Sequence, residues 1–168
     1  MARLCVCVDE ISMIRGGGSD SPDPVAAAVL AELGGADGIV CRVTAGMEPV
    51  TERDVRMLRE TVKTHLNLQA PPAEEVVALA LSVSPDMITL VPGKTAGTTG
   101  GGGLDVLGHA SVLGKHVEQI RHSGIVVSIL LDANIQQVKA AARIGADYAE
   151  FSMREYAGAQ DLNQRADL

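Results

Sequence analysis

A chain of 168 residues is long enough for one domain with its own buried core. With 46% hydrophobic and 21% charged residues it reads as globular and not disordered, and its net charge of -7 argues against a broad electrostatic nucleic-acid footprint. Aromatic side chains are limited to Tyr148, Phe151 and Tyr156, with no Trp, so base-stacking platforms and aromatic cages are not expected.

The first strand-like run is Leu4–Val8. Cys5 and Cys7 share one of its faces, and with Cys41 they make no metal or disulfide spacing, so all three are expected to be small buried hydrophobes. Pro24–Leu33 reads as a helix, with Pro24 at the first helical position and Asp23 as N-cap. The strand Gly38–Val43 follows. Thr51 and Asp54 then resemble a capping box opening a helix over Glu52–Thr64, whose apolar stripe is Val55, Leu58 and Val62. Leu66–Gln69 reads as a strand, Ala73–Val83 as a helix and Met87–Val91 as a strand cut off by Pro92. Lys94 and a Gly/Thr-rich loop come next, a composition that suits either an anion cradle or a plain surface loop. Leu113, Val117 and Ile120 stripe a helix over Leu107–His122, which Ser123-Gly124 ends. The strand Val126–Leu131, the helix Ile135–Ile144 stopped by Gly145, and the strand Tyr148–Phe151 complete the pattern. His65, His109, His116 and His122 fall in helix or helix-end contexts and are expected on solvated faces.

Apolar strands alternating with helices imply an α/β fold with a parallel sheet covered by helices. Gly35-Ala36-Asp37-Gly38 and Gly145-Ala146-Asp147-Tyr148 join a helix end to a strand in the same way, which suggests a repeated βα unit. No linker interrupts the repeat, so residues 1–168 are expected to form a single domain. Polar residues gather at the C-terminal strand ends: Asp9, Arg42, Thr44, Gln69, Lys94, Asp132 and Ser152. A doubly wound sheet and a (β/α)8 TIM barrel both place ligands at that edge. The barrel is preferred because no GxGxxG turn follows the first strand. Six βα units are countable where a barrel has eight strands, so the barrel is expected to be incomplete.

Several segments in order along the chain resemble the pyridoxine 5′-phosphate synthase family of vitamin B6 synthesis. They are Val8-Asp9 with Ile11 and Arg15, Pro22-Asp23-Pro24-Val25, Gly35 to Ile39, Thr51 to Val55, Asn67-Leu68, Leu90-Val91-Pro92 with Lys94, Thr99, Gly102 to Val106, Ser123 to Ile125 and Lys139 to Ala142. The resemblance implies condensation of 3-amino-2-oxopropyl phosphate with 1-deoxy-D-xylulose 5-phosphate, without a redox cofactor or a required metal. Ring closure of that kind needs acid/base groups and fixed anion sites.

Carried over residue by residue, the resemblance implies a depleted site. The family's Asn-x-Asp-His motif reads Cys7-Val8-Asp9-Glu10, so Asp9 alone is kept. An arginine of the following loop falls near Gly18. The catalytic His after the second strand is Arg42, the Arg two residues on is Thr44, and a further His falls at Pro49. The catalytic Glu after the third strand is Gln69. Thr99 and Lys94 match a substrate-contacting Thr and a family Lys. The family's C-terminal third, with another His and glycine-rich phosphate loops, has no counterpart before Leu168. The resemblance therefore implies a diverged, C-terminally shortened relative: Arg42 and Gln69 at catalytic positions, and Asp9, Glu10, Thr44, Lys94 and Thr99 as substrate contacts.

Three readings follow. The chain is a synthase relative with impaired catalysis, a non-catalytic phospho-ligand-binding or assembly module, or a different enzyme built on Asp9, Glu10, Arg42 and Asp132. Against the last, Glu10 and Arg42 are expected to pair as a salt bridge, Asp132 to cap the next helix, and Arg15 to be as much structural as substrate-facing. Exposed edges at Leu4–Val8 and Tyr148–Phe151 point to a homo-oligomer or a complex with a full-length relative. With no span-length apolar run and no signal-peptide layout, a cytoplasmic protein without membrane or nucleic-acid partners is expected.

Overall fold

The computed structural model describes residues 2–15, 22–44, 46, 50–93 and 102–160. The elements in order are β1 (Cys5–Cys7), α1 (Asp9–Ile14), α2 (Pro24–Leu33), β2 (Gly38–Arg42), α3 (Glu52–Thr61), β3 (Leu66–Ala70), α4 (Glu74–Val83), β4 (Met87–Leu90), α5 (Val106–His122), β5 (Val126–Leu131), α6 (Ile135–Arg143), β6 (Tyr148–Phe151) and α7 (Arg154–Gly158). The strands form one sheet in the order β1-β2-β3-β4-β5-β6, each pair parallel. β1 and β6 are its two edges, as the sequence led us to expect.

Register separates the two faces of the sheet. Ile39, Cys41, Leu66, Leu68, Ile88, Leu90, Val127, Ile129 and Leu131 point one way and are completely buried. Val55, Leu58, Val77, Ala80, Val117 and Ile120 of the helices pack with them in one core. The opposite face carries Arg42, Gln69, Thr89 and Ser128, which stand in line across neighbouring strands. Gln69 on β3 donates through Nε2 to Glu150 Oε1 on β6 at 3.0 Å. These strands are three ladder steps apart, roughly 14 Å along a sheet, so side chains meet only because the sheet curls. The curl makes this an incomplete (β/α)8 TIM barrel of six βα units, its polar face on the inside.

The repeated turn has a physical basis. Asp37 N donates to Leu4 O at 2.8 Å while Asp37 Oδ2 accepts from Leu4 N at 2.8 Å. Asp147 makes the same pair of bonds with Val127, and Asp86, which carries no matching sequence motif, makes them with Leu66. Each helix turns into its strand through a left-handed residue: Gly35 at φ 99°, Gly145 at φ 90° and Ser84 at φ 55°. Ser84 tolerates there what glycine adopts freely.

Most element ends lie within a residue of expectation. The exceptions are informative. α3 stops at Thr61, and Glu32 Oε1 then accepts from the N–H groups of Lys63 and Thr64, taking over from helical bonding. α5 begins one residue early and is kinked at His109. α1 and α7 were not foreseen, being too short for an apolar stripe to show. Cys41 is buried as expected, but Cys5 and Cys7 are exposed. β1 is an edge strand and its cysteines lie on the inner face, where no partner strand covers them.

α1 is tied down by Arg15, which follows it. Its guanidinium grips Asp54 with both nitrogens, Nη1 to Oδ1 at 3.0 Å and Nη2 to Oδ2 at 2.6 Å. Asp54 also completes the capping box, accepting from Thr51 N while Thr51 Oγ1 accepts from Asp54 N. Its side chain is fully buried and that of Arg15 only 11% exposed, so Arg15 is structural. Burial alone would raise the Asp54 pKa, but hydrogen bonds from Arg15 and Thr51 outweigh it and bring the carboxyl from 3.8 down to about 2. Because the folded value lies below the unfolded one, the contribution is complete above about pH 4 and is lost as pH falls through 2. Asp54→Ala should cost about 3 kcal/mol in urea unfolding at pH 7, as for a broken buried ion pair. The cost should shrink as the melts are repeated from pH 4 to pH 2.

Candidate functional site

The C-terminal ends of the parallel strands bring the sequence-chosen residues to one rim. Asp9 opens α1 directly after β1, and its Oδ1 accepts from the backbone N–H of Arg42 at 2.8 Å. Asp9 thereby ties the end of β1 to the end of β2. Arg42, last in β2, donates through Nη2 to Gln69 Oε1 at 3.1 Å. An arginine only donates, so it dictates the orientation of the amide: Oε1 toward Arg42 and Nε2 toward Glu150. The result is a directed chain, Arg42 to Gln69 to Glu150, across the inside of the curled sheet.

Glu150 is the functional candidate that sequence reasoning missed. Burial raises its pKa, only partly offset by the Arg42 charge and by hydrogen bonding to Thr89 and Gln69. A half-buried carboxyl with a raised pKa, at the inner end of a strand, holds its proton to higher pH than a free carboxyl does and can exchange it. The signal was present in the sequence as a single carboxylate inside the short run Tyr148–Phe151. Behind it, Thr89 Oγ1 donates to Asn67 Oδ1 at 3.0 Å, both residues buried in the inner face.

The other candidates fare differently. Glu10 is exposed in the first turn of α1 and makes no pair with Arg42, whose side chain is directed at Gln69 instead. Thr44 is half-buried two residues beyond β2. Asp132 does not cap α6; Asn134 does, accepting from Gln136 N. Asp132 Oδ1 accepts instead from Gly103 N at 2.9 Å, fastening the end of the glycine-rich segment to β5. A Cβ on Gly103 would collide with the backbone of Leu131 and Asp132, so only glycine fits this approach. Lys94 and Thr99 lie outside the described residues, as do Gly18 and Pro49. Cys7 stands beside Asp9, but desolvation of its sulfur, with the Asp9 and Glu10 charges, pushes its thiol up to about 12, which disfavours a thiolate. Among the described residues no group of three His, Cys, Asp or Glu side chains is arranged to hold a metal ion.

The model of one protein family, described as pyridoxal phosphate biosynthesis protein PdxJ, matches residues 4–168. Curated relatives named pyridoxine 5′-phosphate synthase include that of Microcystis aeruginosa, 44% identical over 100% of this chain and 70% of its own length. That of Geotalea daltonii is 45% identical over 96% of this chain and 68% of its own. That of a Synechococcus strain is 46% identical over 98% and 70%. Among solved structures, mandelate oxidase with (S)-2-phenylpropionate superposes with a TM-score of 0.59 at 19% identity, over 98% of this chain and 59% of that one. At that identity the likeness is one of fold.

The contact chain makes a prediction about protonation. Arg42 and Gln69 both favour the Glu150 carboxylate, so removing the guanidinium should move its titration further up. In Arg42→Ala, carboxyl-detected NMR should find Glu150 titrating at higher pH than in the unmodified chain. An unchanged titration would break the link between β2 and β6.

Proposed function

This chain belongs to the pyridoxal phosphate biosynthesis protein PdxJ family, and from that membership we propose that it binds phosphorylated substrates of pyridoxine 5′-phosphate synthesis but closes the ring poorly. The carrying observation is the Arg42–Gln69–Glu150 chain. The resemblance puts a family His at Arg42 and a family Glu at Gln69. An arginine stays protonated and an amide has no proton to exchange, so neither side chain can act as a general base. Glu150 is the titratable group left in the chain. General acid/base groups contribute roughly 100-fold to 10,000-fold each, and two such positions are altered.

Binding is a separate matter. Asp9, Glu10 and Thr44 surround the rim at which Arg42 offers a cation, and Lys94 and Thr99 belong to the same proposal by resemblance. A phosphorylated ketose and an amino-ketone phosphate are the substrates in this reading, condensed without a redox cofactor or a metal. A cytoplasmic setting goes with such metabolites and is part of the proposal. Among the described residues no helix is long and apolar enough to cross a membrane.

An assembly role has its own observation. Leu4 beside β1, Tyr148 and Phe151 on β6, and Met153 and Tyr156 beyond it are all exposed. Apolar side chains along two unpaired strand edges favour a homo-oligomer or a complex with a full-length relative.

Three measurements test this. With 3-amino-2-oxopropyl phosphate and 1-deoxy-D-xylulose 5-phosphate supplied together, the chain should release no pyridoxine 5′-phosphate above background. Calorimetry should still detect binding of the ketose phosphate, and the double variant Arg42→His with Gln69→Glu should gain turnover. Rapid synthesis by the unmodified chain would overturn the impairment. In light scattering the chain should elute as a dimer or larger; a clean monomer would remove the homo-oligomer.

A further inference from the structure

Behind the Arg42–Gln69–Glu150 chain, the inner face carries a hydroxyl whose one proton has two claimants. Thr89 on β4 is fully buried, and its Oγ1 donates to Asn67 Oδ1 on β3 at 3.0 Å. The same hydroxyl is a hydrogen-bond donor to the Glu150 carboxylate on β6. β4 and β6 are two ladder steps apart, about 10 Å along a sheet, and the curl that brings Gln69 to Glu150 shortens this reach as well. A threonine has a single O–H, so it cannot donate to both partners at once, although its oxygen can accept while it donates. Asn67 is buried too, and its amide can offer either an oxygen or a nitrogen.

The other neighbours of Glu150 have no such freedom. Gln69 presents Nε2, a donor fixed in direction because Arg42 holds the amide oxygen. Arg42 is the charged group that acts on Glu150, from β2, and the residue beside Glu150 on β5 is the aliphatic Leu130. Arg42 and Gln69 favour the carboxylate and offer nothing to accept its proton. Thr89 serves both states. With Glu150 protonated, Thr89 donates to Asn67 and its oxygen is open to the carboxyl. With Glu150 ionised, the hydroxyl turns to the carboxylate, and Asn67 keeps a partner by donating from Nδ2 to Thr89 Oγ1. Thr89 and Asn67 are both buried, so a bond lost at one end must be remade at the other.

We propose that Thr89 is a positioning residue for Glu150: its hydroxyl proton turns from Asn67 to Glu150 when that carboxyl ionises, so that the buried amide of Asn67 follows the charge on β6. This deepens the reading of Glu150 as the acid/base group left in the chain and rests on it for chemical meaning, but not for the existence of the switch.

A pH titration of the whole chain, followed by carboxyl-detected and side-chain amide NMR for wild type, Thr89→Val and Thr89→Ser, tests it. In the wild type the Asn67 side-chain amide signals should move with the same midpoint as the Glu150 carboxyl. Thr89→Val keeps the branched shape and removes the hydroxyl, so Glu150 should hold its proton about 10-fold more tightly, and Asn67 should lose its response to pH. Thr89→Ser should restore both, which a role in packing alone would not do. An Asn67 amide indifferent to the Glu150 midpoint in the wild type would overturn the proposal without recourse to any variant, and so would a Glu150 midpoint unchanged in Thr89→Val. Calorimetry with 1-deoxy-D-xylulose 5-phosphate separates this from the synthase-like reading. A wild type that fails to bind the sugar phosphate, while Asn67 and Glu150 still titrate together, would overturn that reading and uphold the switch.

Discussion

Asp37, Asp86 and Asp147 each close the N-terminal side of a strand pair with a backbone bond in one direction and a carboxylate bond in the other. They bind β1 to β2, β3 to β4 and β5 to β6. Register in a parallel sheet decides which side chains face which way, and a slip of one residue would exchange the two faces. Here that would place Arg42, Gln69 and Glu150 against the helices and turn Ile39, Leu68 and Ile129 toward the mouth. Fixing the ladder at the N-terminal end leaves the C-terminal ends free for polar side chains. This division between a stability end and a chemical end is general to barrels of this class.

The polar contacts across the mouth run in one direction. Arg42 donates to Gln69, Gln69 donates to Glu150, and burial raises the affinity of Glu150 for its proton. A carboxylate at position 69 would accept from Arg42 and repel Glu150, adding a second titratable group to a coupled pair. The amide instead relays the orientation of Arg42 to Glu150 without joining the titration. The contact chain is therefore continuous in hydrogen bonds and holds one titratable carboxyl, that of Glu150. On the proposed reading, catalytic and binding roles separate on this ground, because anion capture needs donors and not exchangeable protons.

The sequence disclosed the scaffold more fully than the site. Strands and long helices were legible because their apolar residues recur with the periods of buried elements, and because Asp23, Thr51 with Asp54, and Gly145 punctuate them in the usual ways. The echo at Asp37 and Asp147 was legible as a pattern, but its purpose, and the third copy at Asp86, emerged only from the hydrogen bonds. α1 and α7 were invisible because five or six residues hold too few turns to show a stripe. Cys5 and Cys7 misled because composition says nothing of which strand lies at an edge. The Glu10–Arg42 pair failed for a related reason. Opposite charges at two strand ends suggested a contact, but the direction of each side chain depends on the curl, and the curl brings Gln69 to Arg42. Glu150 went unremarked although its setting, a carboxylate in a short apolar strand, was on view.

A chain with net charge -7 gains little long-range attraction for phosphorylated ligands. At physiological ionic strength charges are screened beyond about 8 Å, so distant carboxylates neither help nor much hinder. Capture must come from short-range donors at the mouth. The arrangement fits that requirement. Three acidic side chains near the rim are occupied: Asp9 by the Arg42 backbone, Asp132 by Gly103, Asp54 by Arg15. Carboxylates engaged as acceptors by backbone or guanidinium groups repel an incoming phosphate less than open ones would. The guanidinium of Arg42, sharing a single hydrogen bond with a neutral amide, keeps its charge available. Binding built this way is short-range and donor-specific, which is how an acidic protein can still select a phosphoryl group.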